Sequence, residues 1–183
     1  CAIGAICASA AVAQAALREY FAADDFPVED GRALVVDGWD LEVHLRGADT
    51  NTVRCTTDLR ISGTGADKAD QWVTARVPRY EESDSGLRIA LESSDEGFLG
   101  LARYMLHARL GLVVPLGLIP DVTTSTGPID IRGAFHRADP LRLRTSTGNI
   151  AFSGAAPAVE IRTASGASRL EVFRPLGRLW RWC

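Results

Sequence analysis

Apolar residues in the second half of the chain recur at period two: Ile129 and Ile131, Leu141 and Leu143, Ile150 and Phe152, Val159 and Ile161, Leu170 and Val172. Asp130, Arg142, Ala151, Glu160 and Glu171 fall between them, so each stretch predicts a strand with one apolar and one polar face. Between these strands a hydroxyl-rich turn returns, as Thr-Ser-Thr-Gly, Thr-Ser-Thr-Gly and Thr-Ala-Ser-Gly, ending at Gly127, Gly148 and Gly166. Spacings of 21 and 18 residues between those glycines predict β-coils stacked so that apolar pairs of neighbouring coils bury one another. Glycine there is expected to supply positive φ, and Thr124, Ser125, Thr145, Ser146, Thr163 and Ser165 to hydrogen-bond the turn backbone. Residues 57–63 carry a short echo of 128–133.

Upstream, residues 34–36, 41–45, 53–61, 72–77 and 87–91 read as strands separated by Asp-Gly, Gly-Ala-Asp, Gly-Thr-Gly and Asp-Ser-Gly turn signals. Residues 24–30 form a polar, acidic lead-in. Residues 95–109 fit both periods: a short helix or loop insertion near 95–105, then a strand running into Val114 and Pro115. The fold class expected is therefore all-β, solenoid or β-helix-like, of either hand, in one domain over 16–183. Arg181 and Trp182 stand where Arg144-Thr145 and Arg162-Thr163 stand in earlier repeats, so a further turn motif is expected to be cut off, leaving Leu179, Trp180 and Trp182 to pack or self-associate.

Composition adds limits. With 183 residues and 46% hydrophobic content the chain can bury one substantial core. Residues 16–119 hold 11 basic and 18 acidic side chains, a balance of −7, whereas 120–183 hold 9 and 5, a balance of +4. A basic outer face suits an anionic polymer or lipid headgroups; arginines that merely solvate a β-surface are the plainer alternative. Residues 1–15 are small and apolar and end in Ala13-Gln14-Ala15, the pattern of a partial secretory signal with its cleavage site. Ile6 before Cys7 argues against a lipoprotein cleavage site, and pairing of Cys55 with Cys183 stays open.

Nucleophile elbows, P-loops and dinucleotide fingerprints are absent from the sequence. His44, His107 and His136 are scattered singly, without zinc spacing. Asp121, Asp130 and Asp139 are the carboxylates to weigh as general acid or base, but the positions equivalent to Asp130 are Ala151 and Arg169, so no acidic ladder forms. No catalytic, cofactor-binding or metal-binding residue is expected. The candidate interaction face is Arg142, Arg144, Arg162, Arg178, Trp180 and Trp182, directed at a cell-surface polymer, lipid headgroup or protein and not at nucleic acid.

The repeated turn, the 110–115 lead-in and the signal-like start resemble a bacterial family described as putative adhesins, a domain of unknown function built from β-strand repeats. The likeness covers 33–183 and is strongest from 110; residues 95–109, Ala167, Ser168 and the abrupt end depart from it. It implies an envelope-exposed β-solenoid, non-enzymatic and without cofactor, located in the periplasm, on the cell surface or outside the cell. The alternatives are a sensor or regulatory domain of an envelope-stress system and a polysaccharide-active parallel β-helix enzyme.

Overall fold

The computed structural model describes residues 16–64, 66–75, 77–91, 105–137 and 139–173. Their regular structure is thirteen strands and one helix: β1 Ala16–Pro27, β2 Ala33–Gly38, β3 Glu42–Ala48, β4 Thr52–Thr64, α1 Ala66–Ala75, β5 Arg79–Ser83, β6 Gly86–Leu91, β7 Met105–Pro115, β8 Ile119–Thr124, β9 Ile129–Ala134, β10 Leu141–Thr145, β11 Ile150–Ala155, β12 Val159–Thr163 and β13 Ser168–Val172. They form two mixed sheets, in the orders β1-β4-β7-β3-β9-β11-β13 and β12-β10-β8-β2-β6-β5. From β8 onward, successive strands alternate between the sheets, and each pairs in parallel with the strand two places later. The β2 and β3 strands join the same pattern, β2 beside β8 and β3 beside β9.

Alternation explains the core. Leu34 and Val36, Val43 and Leu45, Ile129 and Ile131, Leu141 and Leu143, and Ile150 and Phe152 all turn inward and merge into one buried cluster fed by both sheets. Ile129 pairs with Ile150, and Leu170 lies one step along, beside Phe152. Burial thins toward the last strands: Val159 and Ile161 are half-buried, while Leu170 is 53% exposed. Each large side chain fully removed from water contributes roughly 1.5–3 kcal/mol before ordering entropy is subtracted.

The turns stack as well. Ser146 N–H donates to Ser125 O at 3.0 Å and Ser165 N–H to Ser146 O at 2.8 Å, continuing the ladder around the corner. The Thr124 hydroxyl donates to Gly127 O at 2.8 Å, and Thr145 Oγ1 accepts from Gly148 N–H at 3.0 Å, which satisfies both threonines where they are buried. The expected reason for the glycines needs correction: only Gly166 has φ in the left-handed region, at 149°, and Gly127 and Gly148 do not. They are glycine because a Cβ would strike the neighbouring peptide, Leu41 O at Gly127 and Gly127 O at Gly148. A second row, Gly47, Gly133 and Gly154, lies at the ends of β3, β9 and β11, with Gly133 and Gly154 also at positive φ.

Other expectations change. The sheets are mixed, because β4 lies antiparallel between β1 and β7 and β5 lies antiparallel to β6. Coil upon coil therefore does not describe the whole chain, and the 57–63 echo belongs to antiparallel β4. The stretch read as a strand at 72–77 begins within α1, where Ala66, Lys68 and Ala69 favour helix and Asp67 complements the positive end of the first turn. Arg18 ties that helix to β1 through Asp70 at 2.6 Å. The acidic lead-in ends a long strand, with Asp25 held by Arg54 across the β1–β4 pair. The 1–15 segment, most of the 95–105 insertion, and Arg178, Leu179, Trp180, Trp182 and Cys183 lie outside the described residues.

Candidate interaction surface

Parallel pairing in register lines up the outward side chains as well as the inward ones. On the outer face of the six-stranded sheet, Arg142 faces Asp121 on one side and Glu160 on the other, while Arg144 faces Thr123 and Arg162. The structure thus brings three of the expected arginines, Arg142, Arg144 and Arg162, into one patch on β10 and β12. It also supplies their counter-charges: Arg144 reaches Asp121 at 3.0 Å, Arg162 reaches Glu160 at 2.6 Å, and Arg142 lies between the two carboxylates at 3.9 and 3.6 Å. Three cations against two anions leave a balance of +1, a charge-patterned face in place of a purely cationic one. Such exposed pairs add about 0–1 kcal/mol each and leave donors for a ligand.

The seven-stranded sheet carries a constellation that sequence spacing did not bring together. Glu42 on β3 accepts from His44 Nε2 at 2.7 Å and from Arg109 on β7 at 3.2 Å, with His107 Nε2 at 4.0 Å. Partial burial raises the Glu42 pKa, but the hydrogen bonds from His44 and Arg109 outweigh it and hold the carboxyl below its usual range. Asp58 on β4 is held low first by hydrogen bonds from Arg60, against a smaller effect of burial, and then by the charges of Arg60, His107 and Arg109. Asp130 lies 3.9 Å from His44 Nδ1 and also binds Arg132. Among the described residues no group of three or more His, Cys, Asp and Glu is placed to hold a metal ion. His44 and His107 are 63 residues apart, and His107 and Arg109 come to the Glu42 that His44 binds only because β3 and β7 pair; the alternation of each strand shows which face it uses, but not its neighbour.

Asp121 belongs to the arginine patch, Asp130 to the histidine cluster, and Asp139 is exposed, so the three weighed carboxylates do not converge. Inside, Cys55 is a buried free thiol, 3.4 Å from the Tyr80 hydroxyl. Burial raises its pKa more than hydrogen bonds from Tyr80 and Thr57 lower it. No helix among the described residues is long and apolar enough to cross a membrane.

No family model matches the chain, and no curated protein sequence matches it. Among solved structures it is similar to a putative cell adhesion protein from Clostridium sporogenes, at 9% identity and a TM-score of 0.49, covering 86% of this chain and 100% of that one. A putative adhesin from Bacteroides fragilis is similar at 11% identity and a TM-score of 0.28, covering 84% of this chain and 97% of that one. At these values neither structure assigns an activity or a ligand.

Proposed function

We propose that the chain is a non-enzymatic interaction module of adhesin type, exported to the envelope or beyond, whose second half is a stack of β-solenoid coils. The observation that supports this reading is the in-register parallel pairing of β8, β10 and β12, which spaces outward charged side chains on a stiff floor at about 4.8 Å per strand. A stiff floor costs little entropy when a partner docks on it, and side chains of both signs supply directional contacts. Export rests on the signal-like composition of residues 1–15.

The test is binding of the purified chain to immobilised glycans and to anionic phospholipid vesicles, with polymer hydrolysis followed in parallel. Saturable binding to either surface without turnover is the expected result. Hydrolysis without stable binding overturns the reading.

A further inference from the structure

Beyond the arginine patch, the outer face of the six-stranded sheet holds a cavity of about 550 Å³ where β5, β6, β2 and β8 meet the turn after β2. That volume is within the range of small-ligand sites. Trp39 stands at its rim, in the turn between β2 and β3, with 48% of its surface exposed. Its backbone is fixed on both sides: Trp39 N–H donates to Leu91 O at 3.4 Å, and Trp39 O accepts from Leu41 N–H at 2.9 Å and Ser125 N–H at 3.2 Å. The ring is therefore carried on an anchored peptide although much of it faces water.

Beside it Arg88 lies between two carboxylates, Asp37 at 3.5 Å and Glu81 at 3.5 Å. All three side chains are half exposed or more, so each keeps unused hydrogen-bonding capacity. Thr123, Ser125, Ser146 and Arg79 also line the wall. The ligand is constrained by this mixture. Arg79 and Arg88 balance Asp37 and Glu81 in the lining, so the wall carries no net charge that would select a phosphate or sulfate, and the density of charge disfavours a lipid tail or an apolar peptide. A match needs one apolar face for the indole and adjacent groups that both donate and accept. A pyranose ring has this combination: polarised C–H bonds on one face, attracted to the negative face of the indole, and vicinal hydroxyls at the edge that suit planar carboxylates and guanidinium groups.

We propose that this cavity is a sugar-binding subsite in which a pyranose stacks on Trp39 and its hydroxyls bond to Asp37, Arg88 and Glu81. A second cavity, containing Arg144 and Arg162, adjoins it at Thr123, Thr124 and Ser146, so a longer glycan continues toward the arginine patch. This rests on the reading of the chain as an interaction module and names its ligand class.

The experiment is calorimetric titration of the full chain and of the variants W39A, W39F, D37N and S153A with tetrasaccharides of the neutral and uronic-acid classes that bind in the array. Thermal unfolding of each variant checks that it is folded. The expected result is at least a roughly tenfold loss of affinity in W39A, near-retention in W39F, a smaller loss in D37N, and no change in S153A on the opposite sheet. Glycan binding unchanged in W39A overturns the subsite while leaving the interaction reading intact, as does binding to anionic vesicles alone. Absence of binding to any surface, with polymer hydrolysis, overturns both.

Discussion

At Gly148 the choice of residue is decided by the carbonyl of Gly127 on the neighbouring turn, which occupies the space a Cβ would need. An alanine there must push two backbones apart, an over-packing cost of about 1–3 kcal/mol. Urea unfolding is expected to show that loss for G148A and almost none for S146A, whose side chain is exposed. The position was legible from the repeated turn, but its cause was not: spacing reveals that a small residue recurs, while only the stacked geometry separates a steric demand from a conformational one. The second glycine row carried a signal too, the Gly-Ala pairs at 47–48, 133–134 and 154–155, which becomes meaningful once β3, β9 and β11 are seen side by side. Cys55 gives another residue-scale expectation. Buried, with its thiol pKa raised by burial, it reacts with a thiol reagent only after unfolding; rapid labelling in the native state contradicts its placement.

Among the elements, inward faces were readable wherever apolar residues alternated, as in β2, β3, β4, β6 and the strands from β8 onward. What the alternation did not reveal was the antiparallel pairing of β4 with β1 and β7 and of β5 with β6, and two short stretches. Trp72 and Val73 resemble a strand in isolation, yet the helix-favouring residues before them extend α1 through both. Residues 24–30 look like a solvated lead-in because Asp24 and Asp25 interrupt the pattern, although Phe26 packs against the core and its ring lies 4.7 Å from that of Tyr80. The gradient of burial along the parallel strands predicts unequal costs: F152A should lose about 3–5 kcal/mol, and L170A, half exposed at the equivalent position of β13, under about 1 kcal/mol. Denaturant titration of the two variants checks the ratio. Equal losses contradict the gradient.

For the molecule as a whole, the outer faces were legible as polar positions but not as clusters, since Glu42, His44, Arg109 and His107 meet through the β3–β7 pairing. That cluster sets an acid limit. Glu42 and Asp58 have carboxyl pKa values lowered by folding, so the unfolded chain binds protons first as pH falls. Their contribution is full above the ordinary carboxylate range and is lost as pH drops through about 4 toward their lower folded values. Thermal midpoints from pH 7 to 3 should fall in that window, and E42Q should show a shallower fall. The arrangement from which everything else is built, however, is the placing of every second strand beside its equivalent. Spin labels at Asp121→Cys and Glu160→Cys, with Cys1, Cys7 and Cys183 replaced by Ser, test it directly, because the two positions flank Arg142 on β8 and β12. Two strand spacings place their backbones about 10 Å apart although 39 residues separate them in sequence. Strong dipolar broadening of the spectrum, lost on unfolding, is the result predicted; a folded protein whose spectrum equals the sum of its singly labelled forms would contradict the stacked arrangement.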